Sequence, residues 1–455
     1  MKYVLFLGDG MADYPVPELG NRTPLQVAKK PAIDKIARLG RCGRFVTVED
    51  DMPPGSEVAN LTVLGYDPHE CYQGRGVIEA ASMGVALADT DVALRCNLIC
   101  IKDGKIKNHS AGHISTEEAR PLIEAMDRES GPAVERSSGP VQDFSSLDHL
   151  TTRPLGHFPV RFYPGISYRH LCVLSAGSDR VTKRQSDKAE DSALDHLITR
   201  SLGHFPSPDL ICFPPHDHVG ERALDLLVRP KNEEAKPTAD LLNYLIKRSW
   251  DILPGHGVNV TRTLAGKDPA NSIWFWSPGR KPKMRTYQEM FGLTGAVISA
   301  VDLIRGLGVY AGLDVIQVEG ATGLIDTNYE GKADACLEAL ADHDFVYVHV
   351  EATDEAGHSR DVKQKVLGIE YLDSRLVARV MKGIEDRGIE ATVAVLPDHA
   401  TPVEKGNHVH GPVPVAIAGP GIAPDPVQSY DEESVRAGSL GLLRGNQFIR
   451  TFLAR

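Results

Sequence analysis

Phe345-Val346-Tyr347-Val348-His349-Val350 runs without a gap into Glu351-Ala352-Thr353-Asp354-Glu355-Ala356-Gly357-His358, and this join decides the fold. The first six residues are rich in β-branched and aromatic side chains, which reads as a buried strand. The next eight carry carboxylates and an imidazole, residue types that hold cations. Two further stretches share this grammar. Lys2-Tyr3-Val4-Leu5-Phe6-Leu7 runs into Gly8-Asp9-Gly10, and Thr392-Val393-Ala394-Val395-Leu396 runs into Pro397-Asp398-His399. In open α/β sheets, ligands sit at the carboxyl ends of the strands. Three such strands side by side in one parallel sheet bring these acids and imidazoles to one crevice, and the reading is a metal-dependent enzyme.

Working outward, Val362, Val366, Ile369, Leu372, Leu376, Val380 and Ile384 recur every three or four residues, one apolar stripe of a long helix that Gly388 stops. Strand 345–350, this helix and strand 392–396 make a βαβ unit, which predicts a parallel pair. A helix is expected from Pro31 to Leu39, a short strand from Gly43 to Val48, and another from Val413 to Ala418. From about Asp127 to Arg285, Pro, Gly, His and charge increase and periodicity weakens. There, LDHLTTRPLGHFP (147–159) and LDHLITRSLGHFP (194–206) agree at eleven of thirteen positions. One copy pair is too few for a solenoid and reads as a local duplication in a surface insertion. The organisation expected is α/β. Residues 1–125 and 286–455 form a metal-binding catalytic domain with a mainly parallel sheet flanked by helices, and residues 126–285 form an inserted α+β substrate or lid domain.

Bulk properties agree. At 455 residues the chain exceeds what one core usually fills. Its 42% hydrophobic and 24% charged content is that of an ordinary globular protein. A formal charge of −11 argues against a nucleic-acid partner, and an anionic small substrate then needs its Arg and Lys concentrated locally. Seven dispersed cysteines without a C-x-x-C give neither a zinc ribbon nor a disulfide framework and fit a reducing compartment. No apolar run approaches membrane-spanning length and no signal segment precedes the first strand, so a cytoplasmic protein without a membrane partner is expected.

Asp354 and His358, four apart where a helix should begin, share one face. Asp398 and His399 end a strand, and His408 lies in Gly406-Asn407-His408-Val409-His410-Gly411 ahead of Pro412-Val413-Pro414. Mixed carboxylate and imidazole suit Mn²⁺ or Zn²⁺, or Mg²⁺ with more oxygen. Two ligand sets suggest two cations holding a phosphoryl oxygen and a nucleophile in line. Singly, each residue has a plainer reading: Asp9 as a turn or cap residue, Glu355 and Asp361 as solvated helix acids, His349 as a core histidine. Pro53-Pro54-Gly55-Ser56-Glu57-Val58-Ala59-Asn60 reads as a loop turning into a helix with Ser56 at the N-cap. A helix N-terminus seats phosphate, and a metal-bound serine there can attack phosphorus. From this segment alone plain capping is favoured, and only proximity to the acids changes that.

Several of these segments together resemble the archaeal-type cofactor-independent phosphoglycerate mutases of the alkaline phosphatase superfamily. They are Gly8-Asp9-Gly10-Met11-Ala12-Asp13, Pro54 to Asn60, Leu64-Gly65-Tyr66-Asp67-Pro68, Gly74-Arg75-Gly76, Asp354 to His358, Pro397-Asp398-His399 and His408 to Pro414. The resemblance implies an alkaline-phosphatase-like core and a binuclear site, with Asp354, His358 and His408 on one metal and Asp9, Ser56, Asp398 and His399 on the other. It implies two divalent ions, Mn²⁺ first, and a phosphorylated Ser56. Glu79 to Gly84, Asn108 to Thr116 and Asn271 to Gly279 are similar to a bacterial branch proposed to act as a homoserine kinase. Val409 and Gly411 depart from the family pattern, which leaves His410 competing with His408.

The implied reaction interconverts 3-phosphoglycerate and 2-phosphoglycerate through a phosphoserine, without 2,3-bisphosphoglycerate. Water must be kept from the phosphoserine, for which the inserted domain is the natural lid. His113, Arg169, His216 and Asp217 resemble family segments that face a small phosphorylated or hydroxy-acid substrate, Arg75 and Arg305 being weaker candidates, with Arg305 read as capping a helix end. A kinase passing phosphate from ATP to homoserine and a phosphatase- or sulfatase-type hydrolase are the alternatives.

Overall fold

The computed structural model describes residues 1–130, 160–175 and 206–454, so nearly all of both LGHFP repeats lies outside the described residues. Fifteen strands occur among them in chain order: β1 (Lys2–Gly8), β2 (Arg41–Val46), β3 (Val92–Lys102), β4 (Lys105–Asn108), β5 (Val160–Tyr163), β6 (Arg169–Leu174), β7 (Leu210–Ile211), β8 (Arg229–Pro230), β9 (Ser272–Gly279), β10 (Gly295–Ile298), β11 (Asp314–Ile316), β12 (Phe345–Val350), β13 (Ala391–Leu396), β14 (Val413–Ala418) and β15 (Gly441–Arg444). The chain divides into two units, one of residues 1–72 with 282–455 and one of residues 73–281.

The first unit is built on an eight-stranded sheet ordered β11-β10-β12-β1-β13-β14-β2-β15. The sheet is mainly parallel, and β14 runs antiparallel to both β13 and β2. The three strands singled out from sequence are its centre. β12 and β13 are parallel, as the βαβ pattern predicts, but they do not pair with each other. β1 lies between them, with Leu7 opposite His349 on one side and Leu396 on the other. All three carboxyl ends therefore open at the same edge.

The long helix forms as Val362–Tyr371, a π-helical turn Leu372–Val377 and Ala378–Asp386, ending before Gly388 in the left-handed region. The π turn holds buried Asp373, whose Oδ1 accepts from the Ile33 amide at 2.7 Å. Ile369, Leu372, Leu376, Val380 and Ile384 pack on Val4, Phe6, Val346, Val348 and Val393 as one core. Burying each such side chain is worth about 1.5–3 kcal/mol, which fixes the helix against the sheet. The expected helix Pro31–Leu39 is present, but the strand after it spans Arg41–Val46 rather than 43–48. Gly43 is therefore not where that strand starts. It sits inside it where β15 passes, and a Cβ there would lie 2.7 Å from the Gly441 carbonyl oxygen.

In the second unit, β3 pairs antiparallel with β4, β6 and β9, and β5 with β6. The helices Thr116–Ser130 and Lys236–Ile252 pack on this sheet through Leu122, Ile123, Met126, Leu242, Leu245 and Ile246. Among the described residues no helix is long and apolar enough to cross a membrane.

Candidate metal centre

The helix Ala352–His358 starts two residues beyond β12 and puts Asp354 and His358 on one face, with His358 Nε2 3.1 Å from Asp354 Oδ2. His408 completes the group: its Nε2 is 2.9 Å from His358 Nε2 and 3.4 Å from Asp354 Oδ1. His408 Nδ1 is 3.0 Å from the Pro54 carbonyl oxygen, and its ring stacks on His399 at 3.9 Å. His410 turns away, with Nε2 2.8 Å from the Met52 carbonyl oxygen. Of the two histidines it is His408 that stands with Asp354 and His358.

Beside it, ligand atoms of Asp9, Asp354 and His399 lie within 4.8 Å of one another, all buried. His399 Nε2 is 3.6 Å from Asp9 Oδ1, 3.5 Å from Asp398 Oδ2 and 3.1 Å from Ser56 Oγ. Asp398 Oδ1 accepts from the amides of Gly10 and His399 at 3.1 and 2.9 Å. Gly10 has φ +59° and a Cβ there would stand 2.5 Å from Asp354 Oδ1, so only glycine lets the loop after β1 pass the acids.

Ser56 is not the N-cap expected from sequence. Gly55 occupies that position in extended conformation, Ser56 is the first residue of the helix Ser56–Val63, and no side chain caps it. The serine hydroxyl is directed to His399 instead.

Whether these residues suit a cation is tested by Asp9 Oδ1, which is buried with no hydrogen-bond partner. A carboxylate oxygen so placed is costly unless it is paired or coordinates a metal. Burial, then the charges of Asp398, Asp354 and Glu351, push the Asp9 carboxyl well above its usual range. Burial, then Glu355 and Asp354, raise Glu351 to about 8. Burial also pushes the Asp354 carboxyl up, but hydrogen bonds from His358 and His408 outweigh it and hold it well below the usual range. The hydrogen bond to Asp354 lifts His358 to about 9. Crowded acids facing imidazole nitrogens are a donor set that a divalent cation relieves, so the residues fit.

Of the plainer readings, Asp361 accepts from the Gln364 amide as a helix cap, and His349 does lie in the core. Arg305 does not cap a helix C-terminus. It lies in the first half of the helix Asp302–Tyr310, and its Nε donates to the Ser299 carbonyl. Sequence reasoning missed the residues that hold the acids. Asn60 Nδ2 donates to Asp398 Oδ2 at 2.9 Å and to the Ser56 carbonyl at 2.8 Å, and Asn60 accepts from the Tyr347 hydroxyl. Thr401 donates to Asp354, and Thr353 donates to the Asp9 carbonyl. For Asn60 the readable signal was its four-residue spacing from Ser56.

In the second unit, Arg169, His216, Asp217 and His113 are exposed. Arg169 stacks on Tyr168 at 5.0 Å, Tyr168 meets His109 at 5.7 Å, and His109 meets His216 at 6.2 Å. His216 continues to Trp276 at 5.4 Å, and Trp276 carries the Arg95 guanidinium on its face at 4.3 Å. Arg95 Nε is 3.0 Å from Glu79 Oε1. Asp217 Oδ1 stands 3.6 Å from His216 Nε2. Burial lowers His109, and the charges of His216, His113 and Arg169 add to it. Burial brings Arg95 down to about 10. The strip sets the guanidiniums of Arg169 and Arg95 on aromatic faces, an arrangement that can take an anion. Arg95 was readable as a charge set inside the apolar run Val92-Ala93-Leu94-Arg95-Cys96.

The model of the metalloenzyme superfamily matches residues 1–451. A 2,3-bisphosphoglycerate-independent phosphoglycerate mutase of Methanosarcina acetivorans is 48% identical over 450 residues, 99% of this chain and 98% of that one. A solved structure of a Pyrococcus horikoshii protein superposes with a TM-score of 0.75 at 26% identity, covering 100% of this chain and 96% of the other. The cofactor-independent phosphoglycerate mutase of Thermoplasma acidophilum superposes with a TM-score of 0.64 at 25% identity, covering 100% and 99%.

Proposed function

Since this chain belongs to the metalloenzyme superfamily, we propose that it is a 2,3-bisphosphoglycerate-independent phosphoglycerate mutase acting through a phosphoserine at Ser56. The observation that carries the site assignment is the Ser56 hydroxyl, which is not used as a helix cap and lies 3.1 Å from His399 Nε2 beside the buried acids. Asp354, His358 and His408 would hold one divalent cation and Asp9, Ser56, Asp398 and His399 the other, with Mn²⁺ the first choice and Zn²⁺ or Mg²⁺ the alternatives. When bound, the cations polarise phosphoryl oxygens and ease ionisation of the serine hydroxyl.

Ser56 Oγ attacks the phosphorus of 3-phosphoglycerate. The bond from phosphorus to the glycerate oxygen breaks as the bond to Oγ forms, and glycerate leaves as the alcohol with the proton the serine gave up. Glycerate reorients, its other hydroxyl attacks the phosphoserine, and 2-phosphoglycerate leaves with Ser56 protonated again. Asn60 holds Asp398 and the first turn of the serine's helix in one arrangement, which fixes the attack geometry. The helix N-terminus adds partial positive charge where the phosphoryl group sits. Residues 73–281 supply the anion grip, with Arg169, Arg95, His216 and His109 on the carboxylate or phosphate and His113 and Asp217 at its margin. The inserted segment serves as the lid that keeps water from the phosphoserine.

The test is purified protein with Mn²⁺ and 3-phosphoglycerate, without bisphosphoglycerate, followed by ³¹P NMR. Formation of 2-phosphoglycerate and phosphate on Ser56 by mass spectrometry are expected. Phosphohomoserine from homoserine and ATP, with 3-phosphoglycerate left unchanged, would replace the mutase by a kinase.

A further inference from the structure

We propose that His349 is a positioning residue that aims Asp9 at its cation, and that Ser299 supports the imidazole from behind. The inference rests on the assignment of Asp9 as a ligand and adds a residue that the sequence reading placed in the core. His349 is fully buried on β12, directly across from Leu7 on β1, and Asp9 follows two residues after Leu7. His349 Nε2 is 2.9 Å from Asp9 Oδ2, and His349 Nδ1 is 3.2 Å from Ser299 Oγ.

The proton inventory of this chain of contacts has one solution for an ionised Asp9. The Val301 amide donates to Ser299 Oγ at 3.0 Å, so that oxygen already accepts. An ionised Asp9 can only accept, so the proton of the neutral ring sits on Nε2, and the bare Nδ1 accepts from the Ser299 hydroxyl. The ring proton is donated to Asp9 Oδ2. This leaves Asp9 Oδ1, buried and without a hydrogen-bond partner, as the oxygen turned toward His399 Nε2 at 3.6 Å. The carboxylate cannot rotate without breaking its bond to the imidazole, and the imidazole cannot flip without losing the serine. The Ser299 carbonyl is itself held by Arg305 Nε at 2.8 Å, and the His349 carbonyl by Lys332 Nζ at 2.9 Å. Every member of the chain is thus anchored to backbone at the sheet's carboxyl edge. Groups hydrogen-bonded behind a metal ligand set its orientation, and their loss costs about 10–100-fold in metal affinity.

The first test needs no metal. Proton–nitrogen correlation spectra of ¹⁵N-histidine-labelled, metal-free protein, taken at alkaline pH where Asp9 is ionised, report the tautomer of His349, assigned by its disappearance in His349→Gln. A protonated Nε2 and bare Nδ1 are expected, and a protonated Nδ1 overturns the proposal. The second test is titration of the metal-free protein with Mn²⁺ by calorimetry. His349→Leu should weaken one binding step by about 10–100-fold, and His349→Gln, whose amide nitrogen can donate to Asp9, should recover most of it. Wild-type affinity in His349→Leu, or equal loss in Leu and Gln, overturns the role. Should His349→Leu not fold, Ser299→Ala carries the same test, because it removes the support behind the imidazole while leaving the ring in place, and unchanged affinity there counts against the proposal. If wild-type protein takes up no Mn²⁺, the ligand assignment of Asp9 fails instead, and the tautomer result still stands by itself.

Discussion

Lys365→Met should destabilise the first unit by about 3–5 kcal/mol, because it removes one half of an ion pair that has no access to water. Lys365 lies in the helix Val362–Tyr371 with a fully buried side chain, and its Nζ is 2.7 Å from the equally buried Asp13 Oδ2. The same ammonium donates to the Thr401 carbonyl at 2.7 Å and the Ala12 carbonyl at 3.2 Å. Methionine fills most of the volume but leaves Asp13 with only the amides of Tyr14 and Val403, and leaves two carbonyls short of a donor. Orphaning each buried carbonyl costs about 1–3 kcal/mol by itself, so a loss under 1 kcal/mol is inconsistent with this geometry. Lys365→Met with Asp13→Asn should lose less than the sum of the two, with a coupling of at least about 2 kcal/mol, since the stranded charge is gone. The assay is urea unfolding followed by far-UV circular dichroism. Trp250, Trp274 and Trp276 are the only tryptophans and all lie in the second unit, so their fluorescence is an internal control that should respond little. Additive single and double variants, or a Lys365→Met midpoint equal to wild type, refute the reasoning. Lys365 ties the loop after β1 to the loop after β13, so hydrogen exchange at residues 9–13 and 398–403 should rise together.

Ser56→Ala should remove phosphoserine and lower turnover by more than about 10⁴-fold, as nucleophile removal does. Because Gly55 holds the cap position, the same variant should change stability by less than about 0.5 kcal/mol, and a loss of 1–2 kcal/mol in thermal unfolding restores the capping role. Chelation with EDTA should abolish activity and lower stability, and returning Mn²⁺ at 100 times its Kd should restore about 2.7 kcal/mol, read as a concentration-dependent Tm. Arg169→Ala, at an exposed position, should leave folding intact and raise KM for 3-phosphoglycerate by about 10–100-fold through loss of a charge-assisted bond. Burial holds His170 down to about 3 from 6.5, and its Nδ1 accepts from the Gly165 amide, so the native state keeps it neutral. Below pH 6.5 the unfolded chain binds the proton that the native state refuses, so stability falls as pH drops toward 3. At pH 5 the loss is about 2 kcal/mol, visible as a shift of the tryptophan-detected urea midpoint that His170→Gln should flatten.

How much of this was legible depends on how local each signal is. Asp354 and His358 were readable because helical spacing alone sets them on one face, and Asp9 and Asp398 because a strand end alone sets them at an edge. That β1 inserts between β12 and β13 was not readable, since a βαβ pattern fixes direction and not adjacency. Nor was the grouping of residues 73–125 with the second unit, which depends on β3 pairing with β9 about 180 residues later in the chain. His408 and His410 flank Val409, and what separates them is the partners their rings meet, His358, Asp354 and the Pro54 carbonyl for the one and the Met52 carbonyl for the other.

The supporting residues are a different case, because their signal was present in the stretch that decides the fold. Val346-Tyr347-Val348-His349-Val350 is apolar throughout at first sight, yet it alternates with period two. Val346, Val348 and Val350 belong to the core under the long helix, while Tyr347 and His349 take the other face. From there the tyrosine hydroxyl reaches Asn60, and through it Asp398 and the serine's helix, and the imidazole reaches Asp9. An aromatic with a polar tip at every second position of a buried strand is a poor choice for packing alone, since each tip must find a partner once desolvated. Such a strand has to be bordered by polar groups at its carboxyl end, and it is these bordering groups, after β1, after β13 and on the Ser56 helix, that the proposed chemistry uses.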